Sequence, residues 1–116
     1  MSVQDLTSYD EFKKLIEGDK IVAIDFWATW CGPCKMISPL FEKFAASSDS
    51  SKIAFYKVDV DEQEQISQEV GIKAMPTFLF FQNGKKLSEV VGANPQQLQV
   101  SLYCTLFLDP REKKLT

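Results

Sequence analysis

The seven residues Ile21-Val22-Ala23-Ile24-Asp25-Phe26-Trp27 constrain the fold of this chain more than any others. All but Asp25 are apolar, with no alternation between faces. Such a run belongs to a strand covered on both sides, so its sheet needs helices on both faces. The flanking segments supply them. Phe12, Leu15 and Ile16 give a first helix an apolar face, with Thr7 as its cap, Asp10 at the capping-box position and Gly18-Asp19 as its end. A second helix begins near Pro33 and turns Met36, Ile37, Leu40, Phe41 and Phe44 inward, with Pro39 inside it as a source of kinking. Ile53 to Val60 reads as the next strand, in which Ala54, Tyr56, Val58 and Val60 alternate with Lys57 and Asp59. Asp61, with Glu64 at the reciprocal capping position, starts a third helix that Gly71 closes. Thr77 to Phe81 is an apolar strand, Asn83-Gly84 a hairpin turn and Lys86 to Val91 the returning strand. Pro95 opens a last helix with Leu98, Leu102 and Leu106 on one face.

The strand-helix-strand section demands a parallel pair with a right-handed crossover, and the hairpin adds antiparallel strands. The expected class is therefore α/β, a mixed central sheet between two helical layers. With 116 residues the chain has room for one domain and one core, without help from metals or several disulfides. That domain is expected to span 1–108. Residues 109–116, polar and opening on Asp109-Pro110, read as a solvated tail.

Composition excludes several functions. Thirteen basic and sixteen acidic residues give a net charge of −3 without a basic stripe, which argues against nucleic acid as a partner. No apolar stretch approaches a bilayer span, so no membrane partner is expected. The first residues carry neither a charged region nor an apolar one of the secretory type, and the expected compartment is the cytoplasm. There is no histidine, which removes Ser-His-Asp and Cys-His nucleophiles and His-ligated metal sites.

Three cysteines, at 31, 34 and 104, do not make a secreted disulfide framework. Cys31-Gly32-Pro33-Cys34 lies between the apolar strand and the start of a helix. Two intervening residues in a helical turn bring both sulfurs within bonding reach. Free amides and the helix dipole at that end favour a thiolate at Cys31, the attacking species in disulfide exchange. Pro33 costs nothing there, since its missing N–H would have had no intrahelical partner. The competing readings are two buried structural cysteines or half of a zinc site. Zinc usually needs four ligands, and only Cys104 remains.

Asp25 interrupts the buried run. An isolated carboxylate there is expensive, and burial should raise its pKa. It is either a satisfied structural aspartate or a proton acceptor beside the cysteines. Lys57, on the next strand, is a candidate partner for it or an ordinary solvent-facing lysine.

The segment Phe26-Trp27-Ala28-Thr29-Trp30-Cys31-Gly32-Pro33-Cys34-Lys35-Met36 resembles the active-site signature of thioredoxins. Ala74-Met75-Pro76-Thr77, Asn83-Gly84 and Gly92-Ala93-Asn94 match the family too, in the expected order, from about Val3 to the last helix. Met75-Pro76-Thr77 and Gly92-Ala93-Asn94 look like eukaryotic cytosolic thioredoxins, fungal ones among them. The resemblance implies a thioredoxin fold, with about five strands in the mixed sheet and four flanking helices. It implies a protein disulfide reductase with no bound cofactor and no metal, working through a redox-active Cys31–Cys34 disulfide. Cys31 would attack, Cys34 would resolve, Asp25 would accept the Cys34 proton with support from Lys57, and Pro76 would be a cis proline facing the sulfurs. Trp30, Gly32, Pro33, Met75, Thr77 and Gly92 would form the substrate groove, where an extended peptide could add as a strand. The implied partners are disulfide-containing proteins and a thioredoxin reductase drawing on NADPH. Histidine between the cysteines, usual in protein disulfide isomerase domains, is absent, and Gly32-Pro33 differs from the Pro-Tyr pair usual in glutaredoxins.

The stretch from Val100 to Pro110 is more apolar than the last helix of a typical thioredoxin, and Tyr103 and Phe107 are expected on the surface. Cys104 reads as a buried small hydrophobe on that helix. The chain is expected to be mainly a monomer, with a weak or Cys104-linked dimer as the alternative.

Overall fold

The computed structural model describes residues 3–49 and 51–107. The segment 109–116, expected to be a tail, lies outside them. Nine elements follow one another: β1 (Gln4–Asp5), α1 (Tyr9–Glu17), β2 (Ile21–Trp27), α2 (Gly32–Ser47), β3 (Ile53–Asp59), α3 (Glu64–Val70), β4 (Thr77–Gln82), β5 (Lys85–Val91) and α4 (Pro95–Phe107). The five strands form one sheet in the order β1-β3-β2-β4-β5. β3 runs parallel to both β1 and β2, while β4 runs antiparallel to β2 and β5. The apolar run Ile21–Trp27 is thus the central strand.

Its two faces feed two cores. Ala23 packs with Phe55, Phe78 and Phe80 under Ile37, Phe41 and Ala45 of α2 and Leu98 and Leu102 of α4. Val22, Ile24 and Phe26 pack with Val58, Leu79 and Phe81 under Phe12 and Ile16 of α1 and Ile66 of α3. Burying one Phe, Ile or Leu is worth roughly 1.5–3 kcal/mol. A helix cap is worth about 1 kcal/mol. The two-sided apolar pattern therefore decides the arrangement, and the capping residues only trim it.

The sequence expectation differs from the structure mainly at those trims. The cap of α1 is Ser8, not Thr7: Ser8 Oγ accepts the Glu11 N–H at 3.1 Å, and the Glu11 carboxylate accepts the Thr7 N–H at 3.3 Å. Glu11 has one more methylene than Asp10 with which to reach back. α3 begins at Glu64, later than Asp61, and Gln63 before it makes no side-chain cap bond. The amides of Asp61 and Glu62 instead donate to Asp59 Oδ1, forming a turn. β3 is buried on both faces, with Ile53 and Phe55 in one core and Val58 in the other, rather than on the Tyr56-Val58 face alone. β1 carries no apolar residue, so no pattern in the sequence marks it. Cys104 is half-buried rather than buried, because it lies beside the Leu98-Leu102 face of α4 and not on it.

The hairpin joins β4 to β5 through Asn83 (φ 53°) and Gly84 (φ 77°), the left-handed pair that a two-residue turn requires. The Asn83 and Gly84 N–H groups donate to the carbonyls of Gly18 and Ile16 at 2.8 and 2.7 Å. The turn therefore closes the C-terminal end of α1.

Candidate active site

β2 ends at Trp27, and α2 starts five residues later. The cysteine pair spans this junction. Cys31 is the N-cap of α2, with extended backbone (φ −92°, ψ 106°), and its Sγ accepts the Cys34 N–H at 3.1 Å. A sulfur thus does what a Ser or Asp oxygen does at other helix starts. Pro33 sits in the first turn, where no intrahelical donor is needed. The helical turn leaves the two Cα atoms 5.3 Å apart, and the sulfurs are joined in a disulfide.

Both cysteines are buried, packed with Ala28 against Trp27, Val60 and Met75. Their surroundings differ. Cys31 Sγ lies 3.6 Å from the Met75 carbonyl oxygen, next to the cis Met75–Pro76 bond. Cys34 opens on the other side into a cleft of about 240 Å³ that also holds Asp25, Trp27, Lys35, Glu42 and Lys57. Cys34, Ser38 and Glu42 recur every four residues, so α2 turns one face into that cleft.

Asp25 is 2% exposed. Burial pushes its carboxyl up to about 7, against the pull of Lys57 and with some help from Glu42. Its Oδ1, like the Trp27 indole nitrogen, has no hydrogen-bond partner among the described residues. Lys57 is its register neighbour on β3, yet the ammonium lies 4.0 Å from Asp5 Oδ1. Nζ is also 5.7 Å from the centre of the Trp27 ring. Among the described residues there is no ion pair between Lys57 and Asp25 within 4.0 Å, so its influence on Asp25 is through space.

The surface around the pair is apolar. Trp30 is 67% exposed, and its indole N–H donates to Asp61 Oδ2 at 3.0 Å. Gly32 and Pro33 are exposed, and Met75 and Gly92 are half-buried. Gly92 has φ 96°, a conformation that side chains rarely tolerate, and donates its N–H to the Pro76 carbonyl at 2.8 Å. Pro76 is buried. Thr77 is buried as well, and its hydroxyl donates to the Ala74 carbonyl at 2.6 Å. Thr77 thus braces the 74–77 turn and offers no surface of its own.

The sequence pattern did not single out Glu42, Asp61 or Asp5 for the site. The two four-residue steps from Cys34 through Ser38 to Glu42 could have found the first. Asp61 is marked in the sequence only as a helix start, and Asp5 not at all, because their partners Trp30 and Lys57 are brought by the fold. No group of three or more His, Cys, Asp or Glu that could hold a metal occurs among the described residues. No described helix is long and apolar enough to cross a membrane.

The family model described as Thioredoxin matches residues 3–103. A thioredoxin of Malassezia sympodialis is 63% identical over 100 residues, which cover 86% of this chain and 95% of that one. Thioredoxin-1 of Schizosaccharomyces pombe is 47% identical over 104 residues, covering 90% and 99%. The crystal structure of the Malassezia sympodialis thioredoxin superposes with a TM-score of 0.84 over 87% of this chain and 88% of that one.

Proposed function

The chain belongs to the thioredoxin family of protein disulfide oxidoreductases, and we propose that within it Cys31 is the attacking thiol and Cys34 the resolving one. The observation that carries this division is the asymmetry of the pair. Cys31 Sγ has a helix-start amide aimed at it, and Cys34 shares a cleft with a buried carboxylate.

In the reduced protein, the same amide and the helix dipole would stabilise the Cys31 thiolate. The thiolate attacks one sulfur of a substrate disulfide. A Cys31–substrate bond forms, the substrate S–S bond breaks, and the first substrate thiolate leaves. Cys34 then gives its proton to Asp25, whose carboxyl near 7 is matched to the task, directly or through a water that the cleft has room for. The Cys34 thiolate attacks Cys31 Sγ, and the second substrate thiolate departs and takes up a proton. Two electrons have passed to the substrate, and the Cys31–Cys34 disulfide remains, the state of this structure. Lys57 supports the proton transfer by its charge.

Trp30, Gly32, Pro33, Met75 and Gly92 present the substrate surface, Pro76 faces the sulfurs, and Thr77 holds the turn that carries them. Substrates are proteins with accessible disulfides. A thioredoxin reductase drawing on NADPH returns the electrons. The work is done in the cytoplasm, where such a dithiol can be kept charged. The working unit is a monomer comprising residues 1–108.

Cys34→Ser tests the roles. Its mixed disulfides cannot be resolved, so substrate adducts should accumulate on non-reducing gels and vanish with reductant. Cys31→Ser should give none. Adducts on Cys31→Ser and not on Cys34→Ser would reverse the assignment.

A further inference from the structure

Three charged side chains stand in one row across the sheet. The β1–β3 register sets Asp5 opposite Lys57, and the β2–β3 register sets Lys57 opposite Asp25. Register partners on neighbouring strands point to the same face, in this row the α2 face. Lys57 is the middle member. Of the two carboxylates in this row, its ammonium stands 4.0 Å from the exposed one, Asp5. The buried one, Asp25, keeps an oxygen without any hydrogen-bond partner among the described residues.

We propose that Asp5 is a positioning residue for the redox site: it draws the Lys57 ammonium toward the sheet edge and so keeps the proton affinity of Asp25 high. The idea rests on Asp25 serving as the Cys34 proton acceptor only for its catalytic consequence. The placement of the three groups is independent of it.

The physical argument turns on where a flexible lysine rests. Its four-carbon stem lets one point charge serve either neighbour. The pair with Asp5 is half in solvent, with side chains 35% and 62% exposed, so by itself it adds little stability. Inside the cleft the same charge acts in a lower dielectric and counts for more. With Asp5 removed, Asp25 becomes the carboxylate that Lys57 faces across the sheet, and a closer cation favours ionised Asp25. The other charged groups facing this row come from α2, where Glu42 and Lys35 line the cleft with Asp25 and Lys57. On β4 the register partner of Asp25 is Phe78, which is uncharged. Neither α2 residue pairs with Asp5 among the described residues, where the ion-pair partner of Asp5 is Lys57.

The test uses the full oxidised chain and follows the Asp25 side-chain carboxyl by 13C chemical shift against pH. Asp5→Asn should lower the proton affinity of Asp25 about threefold or more, moving its midpoint down by about half a pH unit. Lys57→Met should raise the midpoint. In a Lys57→Met background the effect of Asp5→Asn should shrink by at least half, the coupling expected if Asp5 acts through Lys57. High salt should bring the wild type toward Asp5→Asn, since the half-exposed pair is screened. An unchanged or raised midpoint in Asp5→Asn would overturn the proposal. So would an equal downward move with and without Lys57. The pH–rate profile of substrate reduction separates the two ideas. A lowered midpoint with an unmoved profile supports the placement of Lys57 by Asp5 and removes Asp25 from the proton-transfer step.

Discussion

Asp25 combines a buried strand position with a charge, and burial moves its proton equilibrium from 3.8 to about 7. The folded carboxyl therefore holds its proton more tightly than the unfolded one. Its contribution is most favourable below about pH 4 and is lost as the pH rises through 7. The interval corresponds to on the order of 4 kcal/mol, which makes this one residue a large fraction of the stability of a small domain. Asp25→Asn keeps the shape and removes the titration. Urea unfolding of the oxidised protein should show the variant gaining on the wild type by several kcal/mol between pH 4 and pH 8. A constant difference across that range would rule out the buried carboxyl as the source of the pH dependence. The carboxylate itself was legible in the sequence, because it broke an apolar run. The outward lean of Lys57 was not, because it depends on Asp5 in a two-residue strand without an apolar side chain.

At the scale of elements, α4 gives the sharpest contrast between legible and hidden. Leu98 and Leu102 were readable as one face and are buried in the core, while Leu106 is only half-buried. The Tyr103 and Phe107 rings meet at a tilt on the surface, centroids 5.1 Å apart, 60% and 67% exposed. Leu102→Ala should cost about 2–5 kcal/mol in denaturant unfolding. Phe107→Ser, further along the same helix, should stay within roughly 0.5 kcal/mol. Similar losses at both positions would mean that the register of α4 is wrong. Elements marked by a continuous apolar run or a turn signal are legible almost to the residue, β2 and the β4–β5 hairpin above all. The starts of α1 and α3 slipped because several adjacent Ser, Thr, Asp and Glu side chains compete for the same amides, and sequence alone does not choose among them.

For the molecule as a whole, the disulfide occupies two of the three cysteine sulfurs. Only Cys104, half-buried on α4, is left to join two oxidised chains. Any covalent dimer on a non-reducing gel should therefore disappear in Cys104→Ser, with the Cys31–Cys34 chemistry intact. A dimer that persists would place the link at the active-site pair. The redox end of the sheet lies beyond Trp27, where β2 hands over to α2. The opposite end is tied by the Asn83-Gly84 turn to the carbonyls of Ile16, in the last turn of α1, and of Gly18, its C-cap. A two-residue hairpin tip ordinarily looks like open ground for grafting an epitope or a circular-permutation break. In this chain its two amides are the terminal fasteners of another element, so widening the turn would unpick a helix from the opposite half of the sequence. Engineering that leaves the chemistry alone is better directed at the solvent face of α4.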